Sequence, residues 1–464
     1  MSTFRISGEA APAYESLWAK LSRRLSATSP GRLLVAGYTG LAALGTALLS
    51  LPVAVREPPS LSFTEALFTA TSAVCVTGLT VVDPGSRLSL FGQLVVLGLV
   101  QLGGLGVMTV STLIAVLAGR RIGLRGRLLV KEELHQDYLS GLVRLVRMIA
   151  GVTLLVEALG TLLLFLAWRS RMETGRALYY GLFHAVSAFN NAGFDLWGTS
   201  LVAFAGDPLV VFTVAGLIVV GGIGFSVLAD LSSWPAHRRL ALHSRVALWA
   251  AALLTAGGFA LVLASEWSNP GTLGPMPWHQ KLMAALFTAV TPRTAGFSVV
   301  PTGMLRPVTL FLLLFLMFVG VSPGSTGGGI KTTTAAVVVA GVRAALAGRE
   351  ELVLLGRRLP RGIFQRAVSL TLVAGLWVAA VTALMLAVER FNPLAIVFEV
   401  VSAFGTVGLS TGITPQLSIP SRLLLTATML VGKVGPVTFA VSLARRMAAG
   451  AAHVRYPEER ISLG

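Results

Sequence analysis

The chain reads FHAVSAFNNAGFDL from Phe183 to Leu196, and three other stretches read like it. They are FTATSAVCVTGLTVVD (Phe68–Asp83), FTAVTPRTAGFSVV (Phe287–Val300) and FEVVSAFGTVGLSTG (Phe398–Gly412). Each opens on Phe, carries Ser or Thr four residues on (Ser72, Ser187, Thr291, Ser402) and reaches a glycine nine or ten residues after the Phe (Gly78, Gly193, Gly296, Gly408). The glycines lie 115, 103 and 112 residues apart, which makes the chain a fourfold internal repeat. Turn glycines in ordinary loops explain one such stretch; they do not explain four that agree at three positions.

The surroundings of these stretches are apolar. The 464 residues are 54% hydrophobic and only 12% charged, with mean hydropathy +0.78, as in a polytopic membrane protein. Apolar spans are predicted near 33–55, 88–118, 145–168, 208–231, 246–265, 307–342, 367–388 and 423–443. Each repeat is then a span, a short apolar stretch too short to cross, a glycine loop and a second span. The repeats cover 33–118, 143–232, 244–345 and 364–445, flanked by cytoplasmic segments 1–32 and 446–464. Two spans per repeat return the chain to the same side, so all four units share one orientation. Irregular backbone at membrane depth is tolerated only where it is buried in protein or lines water. The predicted fold is therefore an all-α polytopic membrane protein, with four span–pore loop–span repeats in pseudo-fourfold arrangement around a central ion pore.

The net charge of +17 is topogenic rather than nucleic-acid-binding. With the N-terminus inside, 25 of the 37 Lys and Arg residues fall on inner segments and 10 on outer ones, the bias of the positive-inside rule. Both termini are placed in the cytoplasm, and the bilayer is the expected partner. The single cysteine, Cys75, excludes a disulfide framework and a multi-cysteine metal site within the chain. No cleavable leader is evident in the polar, basic first 30 residues. Within them ESLWAKLSRRL (Glu15–Leu25) reads either as an interfacial helix or as a tail.

The repeats imply a chemistry. A short helix after each Phe would aim its C-terminal partial negative charge at the axis, which favours a cation. Extended residues beyond it would present carbonyls in place of an ion's water shell, with glycine allowing conformations and widths that a Cβ forbids. The candidate filter residues are Val76, Thr77, Gly78 and Leu79; Asn191, Ala192, Gly193 and Phe194; Thr294, Ala295, Gly296 and Phe297; and Thr406, Val407, Gly408 and Leu409. Glu399, next to Phe398, is expected to accept hydrogen bonds from backbone N–H groups near the fourth loop rather than to bind the ion directly. Asp83 and Asp195 follow the first two loops and either concentrate cations at the outer mouth or are solvated loop acids. Glu157, in a first span, requires a polar partner. Arg293 is expected to brace the third loop.

These residues resemble the filter loops of the Trk/Ktr/HKT superfamily of potassium transporters, over residues 33 to 445. Eight spans after a short basic segment look more like the KtrB branch than the TrkH branch, which carries two more N-terminal spans. The resemblance implies potassium as the transported ion, held at Gly78, Gly193, Gly296 and Gly408, since serine at the first-loop glycine accompanies sodium preference in the superfamily. It identifies SPGSTGGGIK, that is Ser322, Pro323, Gly324, Ser325, Thr326, Gly327, Gly328, Gly329 and, after Ile330, Lys331, as an intramembrane gating loop below the filter. Lys331 there either repels cations or anchors the loop's inner end. The other second spans carry GGLG (Gly103–Gly106), GGIG (Gly221–Gly224) and GKVG (Gly432–Gly435). Lys433 stands where the family usually has an arginine that forms an electrostatic barrier beneath the filter. Lysine keeps the charge and loses the planar fork; the alternative for Lys433 is snorkelling to the interface. The family further implies a homodimer in a prokaryotic plasma membrane, seated on a cytoplasmic, nucleotide-binding, KtrA-like ring. ATP or ADP would bind there, with no cofactor on this chain. The short tail is expected to leave no room for a regulatory domain, which places a sensor on another polypeptide; ring contacts are nominated at Arg120–Arg147, Arg343–Arg366 and after Arg445.

Three rivals are weaker. GSTGGGIKT superficially suggests a phosphate-binding loop, but Ile330 separates Gly329 from Lys331 and the loop lies between apolar spans, so an enzyme is not expected. An inverted-repeat secondary transporter also uses broken helices, yet these repeats are parallel and fourfold; sodium coupling within the same fold stays open. A sodium-permeable channel is disfavoured by the four loop glycines.

Overall fold

Prolines and polar caps start many of the helices. The computed structural model describes residues 30–107, 109, 110, 112, 113, 128, 130, 131, 142–349 and 351–435; Glu15–Leu25, the tail after Arg445 and most of Arg120–Arg147 lie outside them. Among the described residues four helices are long and apolar enough to cross a membrane: α1 (Pro30–Leu49), α4 (Leu142–Trp168), α8 (Leu242–Glu266) and α12 (Arg361–Val388). They are the first spans of the four sequence repeats.

A short helix follows each of them: α2 (Phe63–Cys75), α5 (Thr174–Phe189), α9 (Trp278–Val290) and α13 (Pro393–Gly405). Helix α2 begins in a reciprocal capping box, Ser62 with Glu65, which satisfies two otherwise unpaired N–H groups. Helix α13 begins with Pro393 after an Asn392 cap, Pro being suited to a position whose N–H is unpaired anyway. The repeat-defining phenylalanines Phe68, Phe183, Phe287 and Phe398 are all buried.

The predicted second spans fall on α3 (Leu90–Leu105), α6 (Pro208–Ile223), α10 (Pro307–Phe318) and α14 (Ile419–Val434), each shorter than the first spans. The first three are interrupted and the fourth ends at a glycine; the sequence marks the third as broken and shows the others only as glycine clusters. Helices α3, α6 and α14 end at Gly106, Gly224 and Gly435, with φ of 89°, 100° and 96°, a region that L side chains rarely adopt. After Gly224 the chain turns by 97° into α7 (Phe225–His237). After α10 the chain runs irregularly over 319–331 before α11 (Thr332–Leu346). A tight hairpin follows, β1 (Val353–Leu354) with β2 (Arg357–Arg358), turning through Leu355 and Gly356 at φ 48° and 75°, the double positive φ of a type I′ turn.

The packing closes on itself. Each first span packs on its own short helix, α1 on α2, α4 on α5, α8 on α9 and α12 on α13. Each second span packs on the short helix of the next repeat: α3 on α5, α6 on α9, α10 on α13 and finally α14 on α2. The seam between last and first repeats is apolar, with Phe68, Cys75 and Leu79 among Met385, Ile396, Val400, Leu425 and Met429. Burial of such side chains contributes roughly 25 cal/mol per Å² of apolar surface removed from water, though against lipid the close packing itself must carry the association.

Candidate functional site

The four candidate loops share a backbone conformation. The first residue of each is left-handed, Val76, Asn191, Thr294 and Thr406 at φ 57°, 56°, 70° and 50°, and so is the glycine two residues later, at 86°, 69°, 75° and 91°. The loops are therefore not the plain extended segments expected from sequence. Left-handed geometry costs a non-glycine residue about 1–3 kcal/mol and persists only where the surroundings over-determine it.

Those surroundings are repeated too. In the first loop Val76 N–H donates to Ala73 O at 3.1 Å and Thr77 N–H to Ser72 O at 2.8 Å, the paired bonds that close a helix through a left-handed residue. The second and fourth loops repeat this, Asn191 to Ala188 and Ala192 to Ser187, then Thr406 to Ala403 and Val407 to Ser402. The third is one residue shorter and closes by Ala295 N–H to Thr291 O at 2.9 Å. The repeat's Ser or Thr also uses its hydroxyl. Ser72 donates to Leu79 O and Ser187 to Phe194 O, both at 2.7 Å, and Thr291 donates to Phe297 O at 2.5 Å. Gly78 N–H and Gly408 N–H donate back to Ser72 and Ser402, both at 3.1 Å. Sequence reading found these four hydroxyls as a pattern and gave them no task; the structure makes them staples that pin each loop to its helix.

The loops face one another in order. A Cβ placed on Gly78 would collide with Ala192 O of the second loop, one on Gly193 would come 2.8 Å from Ala295 O of the third, and one on Gly296 would come 2.6 Å from Val407 O of the fourth. One on Gly408 would collide with Thr77 O of the first, which closes the circuit. At these four positions glycine is required twice over, by positive φ and by a neighbouring carbonyl where a side chain would stand. The second spans are held as closely. A Cβ at Gly103, Gly221 or Gly432 would collide with a carbonyl at the end of a short helix, Val74, Phe189 or Phe404.

The irregular segment 319–331 lies directly against two of these loops. Gly328 N–H donates to Thr406 Oγ1 at 2.8 Å, and a Cβ on Gly327 would collide with Thr294 Oγ1. Ser322 N–H donates to Gly222 O at 3.2 Å, Thr326 N–H to Gly221 O at 3.4 Å, and Gly324 O accepts from Phe225 N–H at 2.9 Å. Within the segment, Val319 and Ile330 pair in parallel, and Ser325 donates to Ser322 O at 2.5 Å. Gly324 and Gly329 take φ of 65° and 72°; Pro323 lies between Ser322 and Gly324. Both lysines reach this backbone. Lys331 donates to Gly327 O at 2.6 Å, and Lys433, from the fourth second span, donates to Thr326 O.

The acids are placed unevenly. Glu399 is fully buried; one oxygen accepts from Ser410 Oγ and Thr411 N–H at 2.7 and 3.0 Å, the other from Thr414 Oγ1 at 2.6 Å. Asp83 accepts from Gly85 N–H and Ser86 N–H, and Asp195 from Trp197 N–H and Gly198 N–H, so each folds its own turn. Burial pushes the Asp195 carboxyl up to about 6, helped by the charge of Asp83 and opposed by those turn N–H groups. Glu157 accepts from Gln101 and from Asn190, the residue before the second loop, at 3.3 and 3.0 Å. Only side-chain reach across repeats reveals this network. Arg293 is buried beside the third loop, with its main chain next to the Asn191 side chain of the second.

Residues 35–452 match the TrkH family, described as cation transport proteins. The Ktr system potassium uptake protein B of Bacillus subtilis (strain 168) is 39% identical over 437 residues, 94% of this chain and 97% of that protein. The potassium/sodium uptake protein NtpJ of Enterococcus hirae is 37% identical over 441 residues, 94% and 97% of the two chains. The crystal structure of the potassium transporter TrkH from Vibrio parahaemolyticus superposes with a TM-score of 0.71 at 20% identity, covering 90% of this chain and 85% of that one, a likeness of fold.

Proposed function

The chain belongs to the TrkH family of cation transport proteins, a transporter family rather than an enzyme family, and from that premise we propose that it is the potassium-translocating membrane subunit of a Ktr/Trk-type uptake system. The repeats at 33–118, 143–232, 244–345 and 364–445 surround a pseudo-fourfold pore. Carbonyls of the four loops, at the level of Gly78, Gly193, Gly296 and Gly408, take the place of water around the ion. The observation that carries this reading is the closed circuit of four loops with one conformation and one hydroxyl staple. Cations, not anions, fit a site built from carbonyl oxygens at helix C-termini.

Segment 319–331 is the gate. It sits under Thr294 and Thr406, blocks passage while Lys433 and Thr406 hold it, and opens when those bonds are exchanged. Lys433 adds a positive charge beneath the filter. Glu399 supports the segment leaving the fourth loop. The protein works as a homodimer with both termini cytoplasmic, on a nucleotide-binding ring that carries ATP or ADP; Arg343–Arg366 is a candidate ring contact. Sodium-coupled uptake is the second reading, favoured by the likeness to the potassium/sodium uptake protein of Enterococcus hirae.

Gly78→Ser tests the filter. The new side chain meets Ala192 O and strained backbone, and the potassium-over-sodium flux ratio in proteoliposomes is expected to fall by about tenfold, the scale of one displaced buried hydrogen bond. An unchanged ratio would remove the first loop from the filter.

A further inference from the structure

His184 stands in the second short helix directly after Phe183, as Glu399 stands in the fourth directly after Phe398. The two do the same thing. Glu399 accepts from Thr411 N–H, three residues past Gly408; His184 Nε2 accepts from Leu196 N–H, three residues past Gly193, at 3.4 Å. Its other nitrogen lies 2.7 Å from Tyr180 O on its own helix. Because Nε2 receives a hydrogen bond, it carries no proton, and Nδ1–H is the donor to Tyr180 O. A single neutral tautomer satisfies both ends.

The ring has no room to turn. It is fully buried, edge-on to Trp168 with centroids 5.1 Å apart, near Trp197 at 6.2 Å and near Phe297 of the third loop at 6.3 Å. The other two repeats place a threonine here. Thr288 spends its hydroxyl on Ala284 O of its own helix, and the buried Thr69 hydroxyl has no partner among the described residues. Long side chains therefore brace the second and fourth loops, which are not neighbours in the circuit, while the first and third go without.

We propose that His184 is a specificity-determining positioning residue: its neutral imidazole holds the segment leaving the second loop as the Glu399 carboxylate holds that leaving the fourth, and together they fix the outer end of the ion path from two opposite sides. This rests on the reading of the four loops as an ion filter. Loss of the imidazole acceptor leaves Leu196 N–H buried and unpaired beside Phe194, so the second loop relaxes and discriminates less between cations of different radius.

Two full-length variants separate the acceptor from the ring. His184→Phe keeps ring shape and loses the acceptor; His184→Gln loses the ring and keeps an acceptor at the reach of Nε2. In proteoliposomes loaded with each, the potassium-over-sodium flux ratio is expected to fall by about tenfold in His184→Phe and to stay within about twofold of the unmodified chain in His184→Gln. An unchanged ratio in His184→Phe, or equal loss in both, would overturn the assignment. If His184→Phe fails to fold, the ¹⁵N resonances of labelled imidazole in the unmodified protein decide, assigned by their absence in His184→Gln. A bare Nε2 is expected, and a protonated Nε2 would overturn it. Absence of potassium preference in the unmodified chain would sink the filter reading itself, a different result from a selective chain indifferent to His184.

Discussion

Three of the second spans stop at one glycine, and the third opens into residues 319–331. The two kinds of break leave the backbone in different states. At Gly435 the N–H still bonds back to Val431 O at 2.9 Å, so the helix ends satisfied. Along 319–331 a few bonds within the third repeat are joined by bonds to other repeats, at Gly221, Gly222, Phe225, Thr406 and Lys433. A bend held by its own helix has one arrangement. In the proposed gate, a segment held by separate partners from the second and fourth repeats exchanges them between two states a few kcal/mol apart.

That contrast is open to breakage at named atoms. Lys433→Met removes the charged donor to Thr326 O while keeping length and apolar bulk. Bonds to charged groups are worth about 1.5–3 kcal/mol, so potassium flux is expected to rise about tenfold or more in vesicle assays. A flux at or below that of the unmodified chain would free Lys433 from the gate. Thr406→Val removes the neutral acceptor for Gly328 N–H and should raise flux about fivefold, since one such bond is worth about 1 kcal/mol. Gly435→Ala probes the other kind of break. Among the described residues nothing crowds that position, so the cost is that of holding a Cβ at φ 96° and ψ 135°, about 1–3 kcal/mol. Thermal unfolding in detergent should fall by a few degrees with flux unchanged; a rise in flux would show that the single-glycine breaks also gate.

The smallest effect concerns the outer mouth. Asp195 is raised to about 6 in the folded protein, above its ordinary 3.8. The folded state therefore holds this proton more tightly than the unfolded chain. Its contribution favours folding at acid pH and declines as pH rises from about 4 through 6. Outside the membrane its negative charge is lost as pH falls through 6. Lowering external pH from about 7 to about 5 should slow potassium entry less than about twofold, the effect being screened by salt. Asp195→Asn should abolish that acid limb, and a limb that survives the substitution would belong to another group.

Repetition made most of the fold legible. Phe, hydroxyl and glycine recur because each of four loops solves the same packing problem, and the solution is local enough to be written in a short stretch. What sequence concealed was conformation and reach. Val76, Thr294 and Thr406 are β-branched, among the poorest residues for positive φ, so propensity argued against the geometry that the helix-closing bonds impose. The glycine clusters were visible, but a glycine inside an apolar run is equally compatible with close helix packing, and only the backbone shows that Gly106 and Gly224 are breaks and that Gly435 ends its helix. Sequence left Asp83 and Asp195 open between the outer mouth and solvated loops because their turn N–H partners are main-chain groups that no motif names. Glu157 found Gln101 and Asn190 from two different repeats, which spacing along the chain does not encode.

The most direct test is ion flux into proteoliposomes that hold only this chain, comparing potassium, rubidium and sodium before and after deletion of Gly324–Gly329. Potassium and rubidium flux above sodium flux, rising on deletion with the preference retained, is the expected result. Folded protein that passes sodium as readily as potassium, or whose selective flux ignores the deletion, would contradict a four-loop filter gated by the segment beneath it.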